Sequence, residues 1–403
     1  MTATSAKYRR LRRSIRRTIR RTHDFHKKLR LDLHSTGMRC SAANARRPAN
    51  GSTGLPMKTT LWYTRCPVPT ASGIAFRLGL FDEMFEGTAY RVRNIKELDR
   101  DDWDTHFSHS QDSSFREGGG SPPVWARASG APTRLLGITF MDEVLGLYVR
   151  ADDPADSVSA LAGRRFALPV WPKLIFNFYR FAAEKGFHSA LRVHGLSEND
   201  VQFVDVFEAD DPHDFINPDP AVMAARGGRS YYHTQLQALI NGDVDVIFAK
   251  GGETATLERE ARGAIRRLYD LRAAPSMEDR VNNSTPRLLT VSESLVNDHP
   301  EAVARYVGTL IKAAHWARQH PVDAQRVLAE ELSIQPDDFV ASFGSDFTDK
   351  LVPRLDPPMF AALDVMKTFL HQRGYVKQDF DARNWAAPEI LEMASSAADP
   401  RLR

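Results

Sequence analysis

The chain has 403 residues, 42% hydrophobic and 26% charged, which suits a globular protein long enough for two or three domains. No run approaches the ~18 uninterrupted apolar residues of a membrane span, which excludes an integral helical membrane protein. Two cysteines, Cys40 and Cys66, exclude a disulfide framework and a multi-cysteine zinc or iron–sulfur site, and suit a reducing, cytoplasmic compartment.

The formal net charge of +3 hides a division. Residues 1–56 carry 15 Lys and Arg against two acids, Asp24 and Asp32, a net +13; the remainder carries 39 basic and 49 acidic residues, a net −10. The isoelectric point of about 8.8 therefore describes the first segment. The body is acidic, and neither nucleic acid nor a membrane is expected as its partner. The run from Arg9-Arg10 to Arg20-Arg21 repels itself and is predicted to be disordered. It lacks the ~7–15-residue apolar stretch of a secretory signal. A tail for nucleic acid or an anionic membrane, an Arg-rich transit segment and a start placed too far upstream are the three readings. The last is preferred, because Met57-Lys58-Thr59-Thr60-Leu61-Trp62-Tyr63 reads like the first strand of a domain.

From residue 57 onward, short apolar runs alternate with helical patterns. Strands are predicted at 60–63, 135–140, 145–149, 165–168, 201–207 and 244–249. The last follows an amphipathic stretch, 234–240, and the turn signal Asn241-Gly242-Asp243. Helix followed by strand predicts an α/β protein around a mainly parallel sheet. Asp298-His299-Pro300 predicts a helix start, with Asp298 as cap and Pro300 in the first turn. Val303, Tyr306, Val307, Leu310, Ile311 and Ala314 then recur at core spacing, and His320-Pro321 ends the pattern. The acidic stretch 208–219, with Glu208, Asp210, Asp211 and Asp214, reads as a solvated loop rather than a cation site. No Gly-rich loop of the P-loop or dinucleotide type occurs. Gly118-Gly119-Gly120 reads instead as backbone that turns with positive φ or closely approaches another group, and Gly251-Gly252 is similar.

Three residues carry candidate chemistry. Cys66 follows the first strand in Tyr63-Thr64-Arg65-Cys66-Pro67-Val68-Pro69, where α/β proteins place ligand sites. Arg65 beside it is a cation that would favour a thiolate. The bland reading of Cys66 is a small buried hydrophobe. His106 stands in Asp104-Thr105-His106-Phe107-Ser108-His109-Ser110-Gln111, and a lone histidine is more often structural. Arg116 precedes Glu117 and the three glycines; a guanidinium fork near bare backbone N–H groups suits an anion, although a surface ion pair is the plainer reading.

Taken together, Cys66-Pro67-Val68-Pro69, His106-Phe107, Gln111, Arg116 and Gly118-Gly119 before Pro122-Pro123 resemble the 2′-hydroxybiphenyl-2-sulfinate desulfinase family of dibenzothiophene desulfurization. The resemblance continues through Thr133-Arg134-Leu135-Leu136-Gly137-Ile138-Thr139, Leu161-Ala162-Gly163-Arg164-Arg165 and Gly242-Asp243-Val244-Asp245. It extends to Leu351-Val352-Pro353-Arg354-Leu355-Asp356 and Trp385-Ala386-Ala387-Pro388-Glu389, and so spans about residues 61–392. It implies a two-lobed, periplasmic-binding-protein-like (type II) α/β fold with a cleft between the lobes. One lobe would be 57–145 plus 285–395, the other 146–284. The resemblance also implies a cofactor- and metal-independent hydrolase that cleaves the C–S bond of an aryl sulfinate. Cys66, His106 and Arg116 would be catalytic, and Thr64, Phe107, Gln111, Gly118, Gly119 and Trp171 would contact substrate. Arg116 would hold the two sulfinate oxygens, with the Gly119 N–H as a further donor. Cys66 would be either nucleophile or proton donor. The protein is expected to act as a monomer.

Two segments depart from the family pattern. They are Val170–Arg180, with Trp171, Phe176, Phe178 and Tyr179, and Lys250-Gly251-Gly252-Glu253, where the family carries a tryptophan-rich stretch. Both would line the aromatic part of the cleft, so the organic half of the substrate is expected to differ. The competing reading is a solute-binding protein of an ABC transporter for sulfonate-, nitrate- or taurine-like anions, for which an arginine in a cleft also suffices.

Overall fold

The computed structural model describes residues 58–209 and 227–398. The basic segment, Met57, Cys40 and the acids Asp210, Asp211 and Asp214 lie outside them. The first sheet has five strands in the order β2-β1-β3-β10-β4. These are β1 (Thr59–Arg65), β2 (Tyr90–Asn94), β3 (Ser114–Gly119), β4 (Thr133–Thr139) and β10 (Arg287–Ser292). Strand β1 runs parallel to β2 and β3, whereas β10 lies antiparallel between β3 and β4. The second half of the fold holds a three-stranded antiparallel sheet, β8-β5-β9, and a parallel pair, β6-β7. Its strands are β5 (Leu145–Arg150), β6 (Arg165–Val170), β7 (Gln202–Phe207), β8 (Ile247–Lys250) and β9 (Ile265–Asp270).

The expected mainly parallel sheet is therefore corrected to a mixed one. The chain leaves the first sheet after β4 and comes back only as β10, so that strand enters from the opposite end. Six predicted strands appear with shifted ends. Strands β2, β3, β9 and β10 were not predicted. Strand β3 reads Ser-Phe-Arg-Glu-Gly-Gly yet is buried at every residue, and neither polar–apolar alternation nor an apolar run marks it.

Both faces of the first sheet are covered. On one, Leu61, Tyr63, Phe115 and Leu289 pack against Val303, Tyr306, Val307 and Leu310 of a 20-residue helix, Pro300–Gln319. On the other, Leu135, Ile138 and Leu288 meet Met359, Leu363 and Met366 of helix Pro357–Gln372. The first of these helices is cored by the predicted residues. Its cap, however, is His299, because Asp298 closes the preceding helix, Glu293–Asp298. In the second half, Leu147, Phe166 and Phe248 pack on Phe187 of helix Phe178–Val193. Tyr148, Ala167 and Ile247 pack on Leu236 and Leu239 of helix His233–Asn241. The turn after that helix is the predicted one, with Gly242 at φ 78° as its left-handed cap. Among the described residues, no helix is long and apolar enough to cross a membrane.

Candidate active site

Strand periodicity builds the site. The parallel β1–β3 register sets Thr64 opposite Arg116 and Arg65 opposite Glu117. Side chains alternate along a strand, so Thr64, Cys66, Arg116 and Gly118 share one face and Arg65 and Glu117 the other. Cys66 lies one residue past β1, and its N–H donates to the Glu117 carbonyl (3.1 Å), extending the ladder. Pro67 follows, and Val68 N–H closes a tight turn on the Cys66 carbonyl (2.8 Å).

The cation beside the sulfur is thus Arg116, not Arg65 as the sequence suggested. Arg65 turns to the opposite face, where it pairs with Glu331 and lies over Phe76. Arg116 is fully buried. Its Nη2 donates to Cys66 Sγ (3.2 Å), its Nε to the His106 carbonyl (2.8 Å) and its Nη1 to the Gly119 carbonyl (2.9 Å). Burial lowers its pKa from the ordinary value, and the neighbouring thiol opposes that; an arginine nevertheless stays charged. Three of its five N–H groups are thus engaged, two by backbone carbonyls and one by the sulfur, which leaves one on each terminal nitrogen. Only the Nη2 edge faces the sulfur.

His106 comes from the short helix Thr105–Ser108. Its Nε2 lies 3.3 Å from Cys66 Sγ and its Nδ1 2.7 Å from Thr64 Oγ1. Burial, then the charge of Arg116, hold its pKa well below 6.5, so the imidazole is neutral at physiological pH. Two proton arrangements satisfy all three groups. With a thiol, Nε2 accepts S–H and Nδ1–H donates to Thr64. With a thiolate, Nε2–H donates to sulfur and Nδ1 accepts the Thr64 hydroxyl. The two states differ by one proton, and in each of them Thr64, His106, the sulfur and Arg116 keep their partners.

Gly118 makes room for this arrangement. A Cβ placed there would stand 2.5 Å from Cys66 Sγ and 2.6 Å from its Cβ, so the predicted close approach is to the cysteine itself. Gly118→Ala is expected to displace Cys66 and to destabilise by about 1–3 kcal/mol. Thiol alkylation rate together with a denaturant melt checks this, and an unchanged alkylation rate would refute it.

Cys66 and His106 line a cleft whose walls come from both halves of the fold. Phe107, Phe178, Tyr179, Tyr231 and Tyr232 form an aromatic wall, in which Phe107 stacks on Phe178 with centroids 5.7 Å apart. Leu332, Ile334 and Phe343 add an aliphatic and aromatic side, and Glu143, Lys250, Glu253 and Ser284 a polar one. Of the residues proposed from sequence, Cys66, His106, Arg116, Thr64, Phe107 and Gly118 converge. The Gly119 carbonyl joins them through Arg116. Gln111 does not converge, because its side chain donates to the Asp112 carbonyl (3.2 Å) outside the cleft lining. Nor does Trp171, which is buried in the core behind the cleft and stacks on Tyr179 (5.1 Å). The divergent segment 250–253 does line the cleft, with Gly251 at φ 61°. Glu143, Tyr231, Tyr232, Asn283 and Ser284 were missed. Only the Tyr231-Tyr232 pair opening a helical pattern offered a signal.

No family model matches the chain. The structure is similar to a crystallised cysteine-to-serine mutant of the desulfurization enzyme DszB in complex with biphenyl-2-sulfinic acid. The TM-score is 0.66 at 27% identity, covering 84% of this chain and 99% of that one. The periplasmic sulfonate-binding protein SsuA of Methylobacillus flagellatus shares the fold (TM-score 0.63, 16% identity, 87% of this chain and 97% of that one). SsuA of Escherichia coli does so at a TM-score of 0.56 and 14% identity, over 81% and 92% of the two chains. The fold is thus the two-lobed, periplasmic-binding-protein-like α/β fold. In sequence, the 2′-hydroxybiphenyl-2-sulfinate desulfinases of Rhodococcus erythropolis and Rhodococcus qingshengii are each 30% identical over 369 residues, 85% of this chain and 96% of theirs. The chain belongs to the 2′-hydroxybiphenyl-2-sulfinate desulfinase family.

Proposed function

We propose that this protein is a hydrolase that cleaves the carbon–sulfur bond of an aryl sulfinate and releases sulfite, as a cytoplasmic monomer needing neither cofactor nor metal. The lobes would be 57–145 plus 285–395 and 146–284. The observation that carries the reading is the sulfur of Cys66 held between His106 Nε2 and Arg116 Nη2 at an aromatic cleft. A receptor needs only to grip its anion. A thiol wired to an imidazole and a guanidinium is equipment for moving charge and protons.

The reaction balances as aryl sulfinate plus water giving arene plus hydrogensulfite. The carbon–sulfur bond breaks, the ring carbon takes one proton of the water and sulfur takes the hydroxyl. As nucleophile, Cys66 attacks the sulfinate sulfur after its proton passes to His106, and the ring carbon leaves with a proton. Water then releases the sulfur from the cysteine. As general acid, the Cys66 thiol protonates the ring carbon while water adds to sulfur, and His106 returns a proton to the cysteine. Arg116 Nη2 faces the charge that develops on Cys66 in both routes, and the neutral imidazole suits both.

The test is sulfite release by the full chain from benzenesulfinate and 2′-hydroxybiphenyl-2-sulfinate. Cys66→Ser is expected to lower it by at least ~10³-fold, because a hydroxyl is both a poorer acid and a poorer nucleophile. Equal release by wild type and variant would reject the cysteine chemistry. No release, with melting temperature raised by sulfonates, would leave a receptor in place of an enzyme.

A further inference from the structure

Two consecutive glycines bring two different side chains up to the cleft. Cys66 lies against Gly118, and Asn283 lies against Gly119. A Cβ at Gly119 would stand 2.9 Å from Asn283 Nδ2 and 2.9 Å from its carbonyl oxygen. Consecutive Cα atoms are about 3.8 Å apart, so the sulfur and the amide flank one short stretch of backbone, and both residues line the cleft. Asn283 is 4% exposed and is held at three of its polar groups. Its N–H donates to Asn282 Oδ1 (2.8 Å), its carbonyl accepts the Gly120 N–H (2.6 Å) and its Oδ1 accepts the hydroxyl of fully buried Ser121. Asn282 is anchored in turn on the second half of the fold, where its Nδ2 donates to the Ala182 carbonyl (2.9 Å). With Oδ1 committed to Ser121, Asn283 Nδ2 points the other way. It has no hydrogen-bond partner among the described residues and is open to the cleft rather than sealed.

We infer that Asn283 is a further substrate contact of the proposed reaction, its Nδ2 donating to an oxygen of the sulfinate group. The inference rests on the reading of the cleft as a sulfinate site and adds a residue to that site. An amide nitrogen only donates, so it takes an acceptor, and a sulfinate oxygen is an anionic acceptor that carries no proton. In both routes the sulfinate sulfur sits at Cys66 or one bond from the ring carbon that Cys66 protonates, which brings its oxygens to the backbone that Asn283 flanks. The amide is neutral, so it supplies its hydrogen bond without a second buried cation beside Arg116. Ser121 and the backbone fix its aim before substrate arrives, so little side-chain freedom is lost on binding. The sulfite product keeps the same oxygens, and the contact is made both before and after the carbon–sulfur bond breaks. Its loss is therefore expected in binding more than in turnover.

The test uses the full chain and follows alkylation of Cys66 by iodoacetamide, read by mass spectrometry of the Cys66 peptide, with and without excess benzenesulfinate. The concentration that halves the rate reports sulfinate affinity, and the rate without sulfinate reports the geometry at the sulfur. Two variants are compared with wild type. Asn283→Ala removes the donor; Asn283→Asp keeps the shape and the acceptor for Ser121 but puts a second anion where the donor was. The half-protecting concentration is expected to rise about 10- to 100-fold in Asn283→Ala, the worth of one hydrogen bond to a charged group, and further in Asn283→Asp. The unprotected rate in Asn283→Ala should stay within threefold of wild type. Protection equal to wild type in either variant would overturn the contact. So would an unprotected rate in Asn283→Ala that falls in step with the protection, since that marks a residue that only holds the backbone at Gly119-Gly120. An absence of protection in wild type would overturn the sulfinate reading of the cleft itself.

Discussion

Arg116→Lys is expected to lower sulfite release by 10²- to 10³-fold, about the effect of removing one preorganised donor from a developing anion. The substitution keeps the charge, so the loss reports geometry. The guanidinium fork reaches the His106 carbonyl, the Gly119 carbonyl and Cys66 Sγ at once, at 2.8, 2.9 and 3.2 Å. A single ammonium nitrogen cannot stand at all three places. Whichever it abandons, a buried carbonyl or the sulfur loses its donor. His106 depends on the same fork, because its backbone is tied to Arg116 Nε. The imidazole that meets Sγ would therefore shift as well. A loss of stability of about 1–3 kcal/mol should accompany the change, from one buried carbonyl left unpaired. Steady-state kinetics and a urea melt measure the two effects. Turnover within threefold of wild type would show that charge alone is required at this position.

The site was legible where a short motif fixes both residue type and position. Cys66-Pro67-Val68-Pro69 marks the end of a strand, and three successive glycines mark backbone approached by something else. It was not legible where strand pairing decides the outcome. Arg65 adjoins Cys66 in sequence and was read as its cation, yet neighbours along a strand point to opposite faces. Arg116, 50 residues away, arrives through the register of β1 with β3. Arg116 was singled out as an anion-binding residue, but its place beside the sulfur follows from β3, whose Arg-Glu-Gly-Gly core hides the strand from sequence. Gln111 and Trp171 failed for a related reason: each lies close in sequence to true cleft residues, but local backbone direction turns its side chain elsewhere. Two of the covering helices, 234–240 and the one that opens near Pro300, were read from amphipathic spacing, which depends on nothing distant, whereas Phe178–Val193 and Pro357–Gln372 were not predicted.

The same burial that holds the site together sets its tolerance of acid. His109, three residues after His106, takes a left-handed conformation at φ 54°, and its Nε2 lies 2.9 Å from Thr290 Oγ1. Burial, then the charge of Arg116, lower its pKa from 6.5 to about 3, and His106 is lowered for the same reasons. The folded protein keeps both rings neutral, whereas the unfolded chain protonates both near pH ~6.5. Between about 6.5 and about 3 the unfolded chain therefore binds more protons, and stability falls as pH falls. His109 contributes a slope of about 1.4 kcal/mol per pH unit in that window, and His106 adds to the fall with the same sign. Glu117 opposes this in part: burial raises its pKa, so the folded state takes up a proton first and gains stability there as pH falls. His109→Asn suits the left-handed backbone and removes one titrating ring. Urea melts from pH 7 to pH 4 should show the variant losing stability less steeply than wild type by about one histidine's slope, whatever its stability at pH 7. Parallel lines for the two proteins would mean that His109 takes up its proton in the folded state, and that the enclosure around Arg116 is open to water.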